Sequence, residues 1–177
     1  VRCRVKDTTG RWSHWSQPVQ FVAGGLLSAP LLDGLRITEI MYNPPPADPS
    51  RGELAVENNS FEFIELQNIG STTLDLTGVT LEDGITFSFG GSRIESLPPG
   101  GFVLVVQNEP AFLSRYGAEL AGSIAGEYDG KLANNGETLR LVDFWSGVIA
   151  EFAYSDDWFA VTDGHGSSLT LADPQLD

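Results

Sequence analysis

Carboxylates are the most plentiful reactive side chains in this sequence, and two of them interrupt strand-like apolar patterns. The chain carries 24 acidic residues against 10 lysines and arginines. Strict alternation places Glu39 on the apolar face that includes Ile37. It likewise places Glu65 on the face that includes Phe63. A charge in an apolar stripe costs stability unless it is paired or hydrogen-bonded, so each carboxylate needs a partner.

The sequence leaves two interpretations of these carboxylates open. In the first, turn N–H groups or an arginine satisfy them, and the candidate arginines are Arg36 and Arg140. In the second, carboxylate and loop carbonyl oxygens form a calcium site, because this hard cation prefers oxygen ligands. A loop with three aspartates is a further candidate, although no Dx[DN]x[DN]G motif occurs. Calcium is the only cofactor suggested, with candidate ligands Glu39, Glu65, Asp156, Asp157 and Asp163.

A hydrolytic site has little support in the sequence. Asp163, His165 and Ser167 share one glycine-rich stretch, but residues adjacent in sequence rarely reach triad geometry. The other histidine, His14, lies between two tryptophans, where packing or exposure is expected. No HExxH motif, phosphate-binding loop, dinucleotide fingerprint or evident pair of glycosidase carboxylates is present. We therefore predict no catalytic residues and a protein that is not an enzyme.

Three aromatic side chains at or near predicted turns are candidates for molecular interaction. They are Trp145, Trp158 and Phe159. An exposed indole can stack on a sugar ring or on a partner protein. Alternatively, these rings cover the open ends of the folded domain. The partners considered are accordingly a protein or a surface polysaccharide.

The charge distribution restricts the choice of partner. Residues 1–25 carry a net charge of +3, and the remaining 152 residues carry −17. A domain this acidic repels phosphate backbones, whereas nucleic-acid binding needs the opposite sign. Acidity favours solubility, cation binding or basic partners. We therefore predict no nucleic-acid partner.

The apolar segments and the single cysteine set further limits. The longest apolar runs, such as residues 102–106 (FVLVV), are the size of a strand and far too short to span a bilayer. Cys3 stands alone, which excludes a disulfide framework and Cys-based metal motifs. The chain starts at Val1 with no signal-peptide pattern, which favours a segment of a longer polypeptide.

Many short strands separated by turns dominate the pattern, which predicts an all-β sandwich of about nine strands with one short helix. The apolar segment at residues 61–69 is expected to be a central strand covered on both sides. The helix is predicted at residues 108–117, with Asn108 as its cap and Gly117 as its stop. Residues 44–60 form a long polar loop, expected to be disordered or solvated, and residues 118–131 look irregular. The predicted strands cover residues 35–42, 61–69, 74–76, 79–81, 85–89, 93–97, 102–106, 138–143, 148–154 and 167–171.

The first 22 residues form a separate unit. Residues 1–6 alternate between apolar and basic side chains, as in a half-buried strand, and residues 7–10 read as a turn before a second strand at 19–22. The intervening WSHWS resembles the WSxWS motif of fibronectin type III domains, in which guanidinium groups stack between indoles. Such stacking contributes about 0.5–2 kcal/mol per contact and is structural. The residues expected to form it are Arg2, Arg4, Trp12 and Trp15.

Six segments in fixed order carry a family resemblance. They are LRITEIMYNP at 35–44, FEFIELQN at 61–68, DLTG at 75–78, LPPGGFVLVV at 97–106, LANNGETLRL at 132–141 and GHGSSLTL at 164–171. Together they resemble the lamin-tail domain, an immunoglobulin-like β-sandwich. No single segment is specific, but the six in order are. After packing is accounted for, Glu39, Glu65 and Glu137 remain as polar positions that the fold alone does not explain.

The resemblance implies a non-catalytic module. It implies a remnant of a fibronectin type III-like domain at 1–22, a linker at 23–33, an immunoglobulin-like lamin-tail domain at 34–172 and a tail at 173–177. In bacteria, similar domains are appended to large exported or surface proteins, so an extracellular or cell-surface location is expected. The expected function is protein–protein or cell-surface attachment, and the alternative is a calcium- or carbohydrate-binding module.

Overall fold

Two five-stranded sheets pack face to face in the computed structural model, which describes residue 2 and residues 4–17 and 29–175. The described chain is mostly β-structure, as the sequence predicts. The helices are α1 (Ala29–Gly34) and α2 (Glu109–Tyr116). The strands are β1 (Leu35–Met41), β2 (Phe63–Asn68), β3 (Leu74–Asp75), β4 (Thr80–Glu82), β5 (Ile85–Ser88), β6 (Ser96–Leu97), β7 (Phe102–Val106), β8 (Ile124–Glu127), β9 (Asp129–Gly130), β10 (Thr138–Val142), β11 (Val148–Ala153) and β12 (Leu169–Thr170).

The first sheet has the order β12-β1-β2-β7-β8, and the second has the order β11-β10-β4-β5-β9. Strands β3 and β6 form a separate two-stranded ribbon. As predicted, β2 is a central strand, and its Ile64 and Leu66 are fully buried in the core between the sheets. The predicted hairpin is also present, with β10 and β11 antiparallel from Thr138–Ala153 pairing to Val142–Val148 pairing.

A second, smaller core lies on the outer face of the first sheet, beneath α2. Phe63 and Leu104 from the sheet pack there with Phe112 of the helix. The Asn108 side chain accepts a hydrogen bond from the Ala111 N–H at 3.0 Å, which confirms the predicted cap. The second core explains why β2 and β7 are apolar on both faces: one side meets the opposite sheet and the other meets α2.

The segment predicted to be irregular is structured. Residues Ala118–Ser123 form a 3-10 helix, and β8 follows and pairs with β7 in parallel. A parallel pair needs a long crossover connection, and α2 with the 3-10 helix supplies it. The prediction was wrong because a four-residue strand containing Ala and Gly has almost no periodic signal of its own.

A β-bulge in β1 changes which face Glu39 occupies. The register against β2 shifts between Ile37 and Glu39. Leu35 and Ile37 consequently pack in the main core together with Ile40, and Glu39 alternates onto the outer face. The prediction that Glu39 shares a face with Leu35 and Ile37 was therefore wrong, because strict alternation ignores the inserted residue.

The polar loop at residues 44–60 is folded. It contains two 3-10 turns, Pro49–Arg51 and Asn58–Phe61. The Arg115 side chain donates hydrogen bonds to the carbonyls of Pro45 and Pro46, at 3.0 and 3.2 Å. The expected disorder was wrong, because Arg115, distant in sequence, binds main-chain carbonyls of the loop. The alternative of a solvated loop fits residues 49–52 and 54–57, which are exposed.

The first segment forms a small hairpin in the described residues. A single antiparallel bridge joins Lys6 to Trp12, and the predicted turn at residues 7–10 is closed by a hydrogen bond from the Gly10 N–H to the Asp7 carbonyl. The expected strand at 19–22 and Cys3 lie outside the described residues. Ala29–Gly34, the end of the expected linker, is helical, and its Leu31 reaches the main core. The packed domain thus begins before residue 34.

Across the described residues, no helix is both long and apolar enough to cross a membrane.

Candidate functional site

A groove opens on one side of the sandwich, where an edge of each sheet is exposed. Its floor and walls come from β1 and β12 on one sheet and from β11 on the other, and the cavity volume is about 390 Å³. Ile37, Phe152 and Leu169 contribute apolar surface, while Glu39 and Glu151 contribute carboxylates. The groove is therefore mostly apolar with acidic groups at its margin.

The backbone of β11 has one unpaired edge. Among the described strands, β11 pairs only with β10. The Tyr154 N–H donates to the Glu137 carbonyl, which makes these two residues a hydrogen-bonded pair. Because such pairs alternate along an antiparallel ladder, the N–H groups of Ala153 and Glu151 point away from β10. These N–H groups can donate hydrogen bonds to the carbonyls of a further strand.

The opposite edge of the groove is only partly covered. β12 is two residues long and pairs with Glu39 and Ile40 of the seven-residue β1. One additional bond runs from the Leu171 N–H to the Thr38 carbonyl at 2.8 Å. A short edge strand is a common device against uncontrolled strand pairing. In the described sheet its ladder pairing with β1 thus covers Glu39 and Ile40, and this one bond extends it to Thr38.

The structure brings Glu39 and Glu65 together. They are directly opposed across β1 and β2. The Glu39 carboxylate accepts a hydrogen bond from the Ser168 hydroxyl, and Glu65 accepts one from the Thr38 hydroxyl at 2.6 Å. Hydroxyl donors therefore satisfy these carboxylates, rather than the turn N–H groups that the sequence suggested.

The two arginines suggested as partners lie elsewhere. Arg140 pairs with Glu82 at 3.0 Å and with Glu151 at 3.2 Å on the second sheet. Arg36 donates to the carbonyls of Leu32 and Leu35. Neither arginine is therefore the partner that compensates the charges of Glu39 and Glu65.

The aspartate loop lies apart from this pair. The Asp163 carboxylate accepts a hydrogen bond from the Asn43 side chain at 2.6 Å. Burial is the main reason why the pKa of the Tyr42 hydroxyl is raised. The negative charges of Asp163 and Asp156 raise this pKa further. Within the described residues, no three His, Cys, Asp or Glu side chains form a group that could hold a metal ion. The calcium site, whose candidate ligands also include Asp157, stays a prediction.

The predicted aromatic residues occupy two separate places. Trp158 stacks edge-on against Phe152 at 5.6 Å between ring centroids, and together with Phe159 it lines the groove. Trp145 lies instead on the β10–β11 turn, next to the exposed ring of Phe144. The sequence did not single out Phe144, because one exposed phenylalanine beside a strand looks the same as a core residue in a pattern of apolar positions.

The tryptophan motif forms the expected stack with one change of partner. The Arg4 guanidinium lies 4.3 Å from the centroid of Trp12 and 4.6 Å from that of Trp15. The Lys6 ammonium lies 5.5 Å from Trp12. Arg2 is exposed, and in the described residues the second cation on the indoles is Lys6 rather than Arg2.

A buried carboxylate network was not anticipated from the sequence. Glu62 is only 1% exposed and accepts hydrogen bonds from the Tyr128 hydroxyl and the Leu132 N–H, both at 2.8 Å. Burial raises the pKa of Glu62 to about 7, although these two donors oppose the shift. The nearby Glu137 accepts hydrogen bonds from the Tyr154 hydroxyl and the Ala133 N–H. The only signal was the position of Glu62 directly before a buried strand.

This architecture defines an immunoglobulin-like β-sandwich with a groove beside the outer edge of β11. The sequence model of the lamin tail domain matches residues 31–156. The chain belongs to the lamin tail domain family, an immunoglobulin-like, non-enzymatic module. No curated protein matches the chain. The predicted fold class and the family are therefore confirmed.

Proposed function

We propose that this protein is a non-catalytic interaction module that binds an extended polypeptide at the open side of its sandwich. The observation that carries the proposal is the free edge of β11 beside the groove. Main-chain hydrogen bonds to the outward N–H groups of Glu151 and Ala153 would supply affinity. Apolar side chains of the partner, on alternate positions, would fill the groove against Ile37, Phe152 and Leu169.

The charge of the groove indicates the chemistry of the partner. Glu39 and Glu151 both line it, and the chain outside its first 25 residues carries a net charge of −17. A partner strand that alternates apolar and basic side chains matches this pattern, because its apolar residues face the groove while lysines or arginines meet the margin. An acidic strand of the same hydrophobicity would be repelled.

The wider setting belongs to the same proposal. In bacteria, domains similar to this chain are appended to exported proteins. This resemblance supports a larger extracellular or cell-surface protein in which this chain is one module. The Arg4 stack between Trp12 and Trp15 is consistent with a remnant of a fibronectin type III-like domain at residues 1–22. We propose attachment to protein partners without nucleic-acid binding or membrane insertion.

Two seven-residue peptides, one alternating Val and Lys and the other alternating Val and Glu, test the proposal by isothermal titration calorimetry. The lysine peptide is expected to bind and the glutamate peptide is not. Glu151→Pro removes an outward N–H without deleting a β10–β11 ladder bond, and we expect it to weaken binding about tenfold. Glu151→Gln keeps the N–H and is the matched control, with a smaller loss from charge alone.

The result that overturns the proposal is equal affinity of the parent chain and Glu151→Pro for the lysine peptide. Absence of binding by the lysine peptide would do the same. Thermal melts of both variants are needed beside the calorimetry, because Glu151 also pairs with Arg140. Ala153→Pro, which also removes an outward N–H, provides a second variant if Glu151→Pro does not fold.

A further inference from the structure

The turn between β10 and β11 presents two adjacent aromatic rings to solvent. Phe144 is 74% exposed and Trp145 is 76% exposed. Their ring centroids are 5.1 Å apart and the ring planes are perpendicular. Neither ring belongs to either core cluster of the described chain. A pair of adjacent exposed aromatic rings can lose this apolar surface to a ligand, and such patches are typical of interaction sites.

The backbone under these rings is held in one conformation. The Asp143 carboxylate accepts hydrogen bonds from the N–H groups of Trp145 at 2.9 Å and Gly147 at 2.7 Å. The Asp143 N–H in turn donates to the Gly147 carbonyl, and Ser146 adopts a positive φ of 60°. A preorganised turn loses little conformational entropy when a ligand binds.

A second turn supports the base of the aromatic pair. A Cβ atom on Gly78 would lie 2.9 Å from the Cβ of Phe144, so only glycine permits this close approach. The contact places the Thr77 and Gly78 backbone beside the rings. As a result, two open cavities flank Phe144, with volumes of about 520 and 340 Å³.

Hydroxyl and carboxylate groups lie beside the aromatic surface in both cavities, although the surface of the larger cavity is mostly apolar. The larger one is lined by Asp75, Thr77 and Asp143 next to both aromatic rings, with Leu31 also contributing. The Thr77 N–H and hydroxyl bind one oxygen of Asp75 and hold the pKa of that carboxyl below its usual value, so Asp75 stays a hydrogen-bond acceptor. The smaller cavity adds polar groups from Thr80, Glu82, Ser88 and Ser146.

This combination points to one ligand chemistry. An aromatic face binds the C–H surface of a sugar ring, and surrounding oxygens exchange hydrogen bonds with its hydroxyls. A protein hot spot would instead be surrounded by groups that exclude water. In the described chain, neither cavity is lined by lysine or arginine, and three carboxylates are present, so an anionic sugar is disfavoured. We propose that the Phe144–Trp145 turn is a binding site for neutral pyranose units of a polysaccharide.

Affinity gel electrophoresis tests this site with defined probes. The full chain is run through gels containing hydroxyethyl cellulose, glucomannan, xylan or, as the anionic probe, polygalacturonate. At least one neutral polysaccharide is expected to retard the chain, and polygalacturonate is not. Trp145→Ala and Phe144→Ala are each expected to weaken binding about tenfold. Trp158→Ala, which alters the groove instead, is the matched control and should leave the retardation unchanged.

Several outcomes would overturn the site. They are no retardation in any neutral gel, retardation by polygalacturonate alone, or equal retardation of the parent chain and Trp145→Ala. Because both rings are mostly exposed, these variants should melt with the parent chain, which separates loss of binding from loss of folding. Peptide binding at β11 is expected to survive both substitutions, so the two sites can fail independently.

Discussion

The Tyr128 hydroxyl donates a hydrogen bond of 2.8 Å to the carboxylate of Glu62, and both groups are buried. The same Glu62 oxygen accepts the Leu132 N–H. Glu62 directly precedes β2, whereas Leu132 lies in the connection between β9 and β10. This carboxylate therefore ties a strand of one sheet to a connection within the other, without an arginine or lysine in hydrogen-bonding contact in the described structure.

The electrostatic environment of Glu62 makes folding stability depend on pH. Its pKa is raised from 4.5 to about 7, first by burial and further by the nearby Glu137, while Lys131 acts in the opposite direction. The tyrosine hydroxyls in contact with these acids also have raised pKa values and stay protonated near neutral pH. The tyrosine hydroxyls therefore do not titrate near neutral pH, whereas Glu62 does.

We expect Glu62→Gln to remove a decline in stability as the pH rises through neutrality. Between pH 4.5 and about 7 the folded Glu62 holds a proton that the unfolded state releases, so the free energy of unfolding falls as pH increases. The full shift corresponds to a loss of about 3 kcal/mol. The uncharged amide of the Glu62→Gln variant does not titrate and so makes no such pH-dependent contribution to the free energy of unfolding. Urea denaturation at about pH 5, 6, 7 and 8 measures the difference in slope.

Glu57→Gln is the matched control for this titration, because Glu57 is an exposed acid near the same strand. It should follow the pH profile of the parent chain. Parallel profiles for the parent and Glu62→Gln would contradict the assignment of the titration to Glu62.

Arg115 is expected to hold the 44–60 loop in its folded form. Its guanidinium lies 2.6 Å from the Glu53 carboxylate, and each side chain is 9% exposed. It also lies 3.5 Å from the centroid of Phe61. Arg115→Met keeps much of the packing but leaves the Glu53 charge without its cation, which should cost about 3–5 kcal/mol. Denaturant unfolding measures this loss, and limited proteolysis should show faster cleavage within residues 44–60.

Arg51→Met provides the comparison for Arg115, because Arg51 is an exposed cation of the same loop. A small effect is expected, within about 0.5 kcal/mol. Equal stability and equal protease resistance of Arg115→Met and the parent chain would show that the ion pair does not order the loop.

The parts of the fold that the sequence predicted are those specified locally. The cap at Asn108 and the β10–β11 hairpin follow from residue type and short-range spacing. The contacts of Arg115 with the 44–60 loop do not follow from local sequence. Arg115 lies 62 residues from Glu53, and no residue near the loop indicates that the two side chains pair. The bulge before Glu39 is likewise invisible to a strict alternation of faces.

The candidate sites were predictable only in part. Its place near a predicted turn drew attention to Trp145, but its pairing with Phe144 depends on how β10 ends. The groove depends on which strands become sheet edges, and strand order is set by pairing between distant segments. The motif predicted that Arg4 stacks between two indoles. It did not predict the contact of Lys6 with Trp12, because that contact depends on the Lys6–Trp12 bridge.

Gly136 is expected to be a position where any side chain prevents close packing of two segments. Its φ is +104°, and a Cβ atom would lie 2.4 Å from the Tyr154 carbonyl oxygen and 3.0 Å from the Ser155 Cα. Gly136→Ala therefore combines backbone strain with a clash against main chain that cannot rotate away, and we expect a loss of about 3 kcal/mol. Gly100→Ala separates the two terms, because Gly100 has a φ of +72° and nothing within 4 Å of its built Cβ. It should lose only the strain contribution, about 1 kcal/mol. Equal losses of unfolding free energy for the two variants would contradict this prediction. They would mean that backbone strain alone, rather than contact with Tyr154 after β11, makes glycine necessary at position 136.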